Sequence, residues 1–331
     1  MKTIDFENHF YDQNFIDFLS QKQEPPFYNP ENKVLSWTGT VNMPQDVLLP
    51  QLLEVAEERS RLMKEQGIDV TVLSSSPGLE QIEVEESIEI CRKTNDTLGN
   101  IIKRYPNQYL GSAVLPVKNP EIACEELERC VKEYGFVSWH THSNYGETAP
   151  DDKIYRPIFK KAAELGVYVY LHPQLPTGNR TDGYGFTVAG PGLGFTLDTI
   201  TTITRMIVSG LFDELPNLKV VLGHLGEGIP FLLERMDNRI KFLPNPLIKC
   251  KEDISYYFKH NILVTTSGNM CEYAFACAKG VLGIDNILFG SDYPYESLPD
   301  MMNFLSDLPL TDVEREKLFY KNAVEKLGIH I

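Results

Sequence analysis

Short β-branched or aromatic runs alternate with stretches of helical period along nearly the whole chain, and this alternation narrows the fold more than any other feature. The runs cover 3–9, 69–76, 109–117, 136–142, 167–173, 218–224, 261–267 and 286–292. Between them, 52–67, 85–105, 121–135, 155–166, 197–210, 230–243 and 271–280 repeat apolar residues at helical spacing. Several of these stretches end in glycine just before the next run, as C-capped helices do. Strands that alternate with helical crossovers predict an α/β fold, a (β/α)8 barrel, with residues 1–331 as one domain. A doubly wound sheet fits less well, because no glycine fingerprint follows the first run.

Two excursions interrupt the alternation. Residues 10–48 read as a long irregular stretch, and 174–195 as a Gly-rich loop after the fifth run. Both follow the C-terminal ends of their strands, where barrel active sites are built, so both are expected to cover the mouth. The segment 308–331 reads as helical and is expected to cap the barrel exterior.

Charge and composition exclude several roles. With 42% hydrophobic residues the chain can bury a large core, and a net charge of −15 argues against nucleic acid or an anionic membrane as partner. No apolar run is long enough to span a bilayer and the N-terminus lacks a signal-like core, so a cytoplasmic location is the expectation. The six cysteines include no CxxC pair and read as buried reduced thiols rather than a zinc knuckle.

The chemistry gathers at strand ends. Of seven histidines, His9, His140, His142, His172 and His224 close apolar runs, and Asp292 closes the last one. The stretch 219–228, KVVLGHLGEG, ends a buried run on His224 and places Glu227 three residues later. Glu7 and His9 share one strand face by alternation. In a closed barrel all these ends converge on one mouth. Imidazoles and carboxylates together suit a borderline divalent metal, and a cation would compensate carboxylates that are otherwise costly to bury.

Glu7-x-His9, YLHP at 170–173, GHLGEG at 223–228, TTSG at 265–268, FGSDYP at 289–294 and above all the block 198–239 resemble the amidohydrolase superfamily. The branch they are similar to is that of the nonoxidative hydroxybenzoate decarboxylases, related to aminocarboxymuconate-semialdehyde decarboxylase. That resemblance implies Glu7, His9, His172 and Asp292 as metal ligands. It implies His224 as a catalytic histidine beside the metal, with Glu227 orienting it. The fourth run departs from the branch, which usually carries a small polar residue such as Asn where this chain has Trp139, His140 and His142. A metal-bridging lysine is absent from that strand end, so one metal ion is expected.

The resulting expectation is a metal-dependent decarboxylase of a hydroxylated aromatic or similarly unsaturated carboxylic acid. Asp292, His224 and Glu227 are its catalytic residues. His140, Arg205 and Arg239 are its candidates for holding substrate. The metal is expected to be zinc, with manganese or magnesium as alternatives. The same site could instead activate water on a lactone or unsaturated acid, and a non-catalytic metal- or metabolite-binding barrel is a third reading. Aromatic residues in 231–258 exceed what one exterior helix needs, and a homodimer or homotetramer is expected from them.

Overall fold

The computed structural model describes residues 1–38, 41–76, 79–82, 84–176, 178 and 181–331. Eight parallel strands follow one another in chain order around a barrel. They are β1 (Ile4–Phe10), β2 (Val70–Ser75), β3 (Tyr109–Ala113), β4 (Ser138–His142), β5 (Tyr168–His172), β6 (Val220–Leu222), β7 (Ile262–Thr265) and β8 (Ile287–Leu288). The ring closes between β1 and the segment after β8, where the Phe6 N–H donates to Phe289 O at 2.9 Å and the His9 N–H to Tyr293 O at 2.8 Å. The strands fall on the eight runs expected from sequence; β1 lies one residue later than its run, and the other seven are shorter than theirs.

Period-2 alternation sorts side chains between two cores. Val169, Leu171, Val220 and Leu222 face outward and meet Leu127, Phe159, Ile203 and Phe258 of the surrounding helices. Tyr168, Tyr170, Val221, Leu263 and Leu288 fill the barrel interior. Ala323 and Ile329 join that inner cluster, so part of the C-terminal segment packs with the barrel interior rather than only on the exterior as the sequence suggested.

One irregularity in β1 matters for the site. Its pairing with β2 shifts register between Asp5 and Asn8. Ile4 and Phe6 therefore belong to the inner core, and beyond the shift Glu7 and His9 also face inward while Phe10 joins the outer core. The bulge changes the parity of the strand.

The stretch 10–48 is more ordered than its sequence suggested. It forms a helix, Gln13–Ser20, and an antiparallel sheet of Phe27–Asn29, Val34–Thr38 and Val41–Pro44. Tyr11, Phe15, Leu19, Leu35, Trp37 and Met43 pack in one cluster with Leu79, Ile90, Val114 and Leu175 of the barrel's loops and helices. The helical stretch 52–67 breaks into Leu48–Leu53 and Glu57–Glu65. At the break the Glu54 carboxylate accepts the N–H groups of Ala56 at 2.9 Å and Arg59 at 2.6 Å, capping the second helix.

Asp5 fastens the barrel seam. It is fully buried, and burial pushes its carboxyl up to about 6 against the pull of its hydrogen bonds. It accepts from the Ser291 N–H at 2.9 Å, the Ser291 hydroxyl at 2.6 Å and the Asn8 amide at 3.0 Å. Asp5→Ala strands these donors and should cost about 3 kcal/mol of stability. Denaturant unfolding of the metal-free proteins measures it, and an unchanged midpoint would show that the seam does not depend on Asp5.

Candidate metal centre

Four ligand atoms, one each from Glu7, His9, His172 and Asp292, lie within 4.8 Å of one another at the barrel mouth, and all four residues are buried. They come from β1, from the end of β5 and from the turn after β8, so the closed barrel alone brings them together. His172 Nδ1 donates to Pro173 O at 2.8 Å, which leaves Nε2 as its free lone pair. His9 Nδ1 lies 3.1 Å from Ser74 Oγ, and its Nε2 is 3.2 Å from Asp292 Oδ1. Glu7 Oε2 accepts from Thr265 Oγ1 at 2.8 Å, while Glu7 Oε1 is buried with no hydrogen-bond donor among the described residues. That oxygen lies 3.9 Å from the Nε2 atoms of His9, His172 and His224.

These residues fit a divalent cation. Burial raises the Glu7 carboxyl above its ordinary range, and a positive charge nearby would favour its ionised form. Burial, with His9 and His142 alongside, holds His172 well below the ordinary histidine range, which keeps it in the neutral form a ligand needs. Burial would raise Asp292 too, but hydrogen bonds from His224 and His9 hold it below the usual carboxylate range.

His224 stands beside this group rather than within the four. Its Nδ1 is 2.5 Å from Glu227 Oε1, and its Nε2 is 3.7 Å from Asp292 Oδ2. A carboxylate can only accept, so Nδ1 carries the hydrogen and Nε2 turns to the centre. Thr196 Oγ1 donates to the other Glu227 oxygen at 2.7 Å. Burial favours a neutral His224 imidazole, but Glu227, with Asp292 and Glu7, outweighs it and raises the group well above its ordinary range.

The backbone here is unusual. His224, Leu225 and Glu227 adopt φ of 55°, 55° and 57°, between and beside glycines, and Asp292 has φ of 61°. Left-handed backbone at non-glycine residues costs about 1 kcal/mol each and concentrates at functional sites. The His224 N–H is fixed by Ser267 Oγ at 3.1 Å. Gly268 has no alternative, since a Cβ there would lie 2.5 Å from His224 Cδ2.

Above the centre opens a cavity of about 570 Å³. His142, His172, His224, Glu227, Asp292 and Tyr295 supply its polar wall. Trp37, Met43 and Leu48 from 10–48, and Leu175, Phe186, Pro191 and Phe195 from 174–195, supply its apolar wall. Residues 177, 179 and 180 of the second stretch lie outside the described residues.

Three candidates for holding substrate are placed elsewhere. Arg205 is half-exposed and paired with Asp151 at 2.9 Å and Asp152 at 3.8 Å. Arg239 stacks on Phe242, with 5.6 Å from its guanidinium carbon to the ring centre, on an exterior surface. His140 lies one layer below the mouth, stacked on Tyr170 with ring centres 5.4 Å apart, because residues two apart on β4 share a face and His142 is the later one. His142 takes the place at the wall. The sequence did not single out Asp5, Ser74, Glu80 or Tyr295, and TTSG marked Thr265 and Ser267 without showing their contacts.

Residues 4–329 match the family described as Amidohydrolase. The chain belongs to the amidohydrolase family. The γ-resorcylate decarboxylase of Polaromonas sp. (strain JS666 / ATCC BAA-500) is 35% identical over 288 residues, 83% of this chain and 88% of that protein. A crystal structure of 2,6-dihydroxybenzoate decarboxylase complexed with 2,6-dihydroxybenzoate has a TM-score of 0.87 at 29% identity, covering 99% of this chain and 100% of that one. A dihydroxybenzoic acid decarboxylase from Polaromonas sp. JS666, with bound manganese and the inhibitor 2-nitroresorcinol, has a TM-score of 0.85 at 30% identity over 99% and 97% of the two chains. Within the amidohydrolases the chain thus falls in the hydroxybenzoate decarboxylase branch, and it is an enzyme of the carboxy-lyase class with a site for a divalent metal.

Removing a ligand should empty the centre. His172→Ala is expected to lose bound metal after dialysis, read by elemental analysis on folded protein. Stoichiometric metal in that variant would remove His172 from the ligand set.

Proposed function

We propose that this protein is a metal-dependent nonoxidative decarboxylase of an ortho-hydroxylated aromatic carboxylic acid. The observation that carries the reading is the Glu7, His9, His172 and Asp292 cluster with the His224–Glu227 pair beside it, beneath a partly apolar cavity. A divalent cation held by the four ligands would neutralise and orient a carboxylate and its neighbouring hydroxyl. The two-nitrogen, two-oxygen donor set accepts zinc or manganese. Zinc was the expectation from sequence, but the manganese in the Polaromonas enzyme favours manganese here.

The protein's own groups then move protons. The protonated His224 imidazole passes a proton to the Asp292 carboxylate, and Asp292 gives it to the ring carbon that bears the carboxylate. The bond from that carbon to the carboxylate breaks, its electrons restore the aromatic ring, and carbon dioxide leaves. His224 lies close enough to Asp292 to return a proton to it from solvent, and Glu227 holds the imidazole in the orientation this needs. The aromatic side chains of 10–48 and 174–195 cover the mouth and keep water from the ring.

The substrate is a small carboxylate, and a net charge of −15 disfavours nucleic acid and anionic membranes as partners. We further propose a homodimer or homotetramer. Phe231, Phe242, Leu243 and Leu247 are 82, 69, 69 and 76% exposed on one region of the exterior, more apolar area than an isolated surface usually shows. The wild type should sediment above 37.6 kDa at micromolar concentration, and Leu243→Asp should shift it towards monomer. A wild type that sediments only as monomer would end that proposal.

Carbon dioxide release from a panel of hydroxybenzoates by the manganese-loaded protein tests the reaction, and none released from any member would refute it. His224→Asn should keep its metal while the rate falls by about 10²- to 10⁴-fold. Glu227→Gln should lose less, since it acts through the imidazole. If His224→Asn lost its metal, His224 would be a ligand; if it kept full activity, it would have no part in proton transfer.

A further inference from the structure

Behind the two ligands of β1 lies a buried guanidinium that the chemistry of the site does not use. Arg59, on the helix Glu57–Glu65, is 1% exposed. Its Nη1 donates to the His9 carbonyl oxygen and, at 3.0 Å, to Asn8 Oδ1. Its Nη2 donates to the Gln51 carbonyl oxygen, and its guanidinium carbon lies over the Tyr293 ring, 5.1 Å from the centre. One side chain thus touches the ligand His9 itself, the residue after Asp292, and the helix Leu48–Leu53, whose Leu48 lines the cavity. Burying this charge is costly, so its contacts must offset the cost.

The contacts continue along the outer face of β1. Asn8 Nδ2 donates to Asp5 Oδ2 at 3.0 Å, which leaves Asn8 Oδ1 to Arg59. Asp5 Oδ1 accepts the Glu7 N–H at 3.2 Å and the Ser291 N–H at 2.9 Å. The chain of Arg59, Asn8, Asp5 and Ser291 therefore passes behind Glu7 and His9 and ends one residue before Asp292. It also spans the register shift between Asp5 and Asn8. A strand that slips by one residue turns its side chains to the opposite face, so relaxing this bulge would turn Glu7 or His9 away from the centre.

We propose that Arg59 is a positioning residue of the metal centre. Its fork holds β1 in the bulged register that turns Glu7 and His9 inward together, and ties that strand to the turn carrying Asp292 and to the helix at the cavity mouth. The inference rests on the reading of Glu7, His9, His172 and Asp292 as metal ligands. Arg59 acts through them and touches neither metal nor substrate. A planar fork is needed because three oxygens on two segments are held at once, and the compact ammonium of lysine does not match that geometry.

Manganese affinity of the folded protein separates positioning from plain stability. Arg59→Met keeps most of the side chain's bulk and removes every donor. Calorimetric titration of the metal-free protein should show manganese binding it about 10- to 100-fold more weakly than the wild type, the usual effect of losing a group that orients metal ligands. Arg59→Lys should lose less. Asn8→Leu should also weaken manganese, and its effect should be less than multiplicative with that of Arg59→Met, since both break one chain. Leu211→Ala, in the outer core on the segment leading into β6, should lower the unfolding midpoint and leave manganese affinity unchanged. Wild-type affinity in folded Arg59→Met would overturn the proposal, as would an equal loss in Leu211→Ala. If Arg59→Met does not fold, wild-type affinity in both Arg59→Lys and Asn8→Leu would overturn it. A wild type that takes up no manganese would sink the metal reading itself. Stoichiometric manganese in the wild type with unchanged affinity in the variants leaves that reading standing and removes Arg59 from it.

Discussion

A carboxylate oxygen with no hydrogen-bond donor among the described residues sits at the centre of this molecule. Glu7 is 1% exposed, and three imidazole nitrogens from three different strands approach its Oε1 without donating to it. Buried charge of that kind costs several kcal/mol unless a cation answers it. Asp292 brings a second carboxylate to the same point. The barrel, its closing seam and the turn after β8 all serve to hold two carboxylates at one point, where a divalent metal would compensate their charge. The site is therefore a place where folding and metal binding are linked, and the apo protein carries the cost.

The surroundings of His224 show the same logic in the backbone. A helix or strand would have satisfied 224–228 more cheaply than a run of left-handed residues does. What the run achieves is a return of the chain within three residues, so that Glu227 meets the imidazole it follows. Ser267 holds the His224 amide and Gly268 leaves room for the ring. The unfavourable backbone is local, and the packed barrel on either side fixes it.

Much of this was legible in the sequence, for definite reasons. The eight runs and the seven helical stretches each repeat at their own period, so the barrel could be read directly. The meeting of Glu7, His9, His172 and Asp292 was expected because a closed barrel makes its strand ends converge, while their reading as metal ligands came from the resemblance. Three kinds of feature were not visible. The bulge in β1 leaves no mark in composition, yet it sets which residues of that strand face inward. Depth along β4 cannot be read from alternation, which gives His140 and His142 the same face and not their different layers. Charge type gave no position for Arg205 and Arg239, which pair or stack on the exterior instead of turning to the mouth. The strands of 10–48 were too short to show a period, so an ordered sheet read as an irregular loop.

The two histidine–carboxylate pairs, His224–Glu227 and His142–Glu80, are built by different means, and the difference bears on how such a site diversifies. Glu227 is three residues from His224, and one turn sets both. Glu80 is 62 positions from His142, on the segment that follows β2. A change in that segment would move the partner of His142 while leaving Glu7, His9, His172 and Asp292, which rest on β1, β5 and the turn after β8, where they are. Barrels vary their loops while keeping their strands. In this one the His224–Glu227 pair belongs to a constrained turn and the His142–Glu80 pair bridges a loop and a strand, so the two can vary separately.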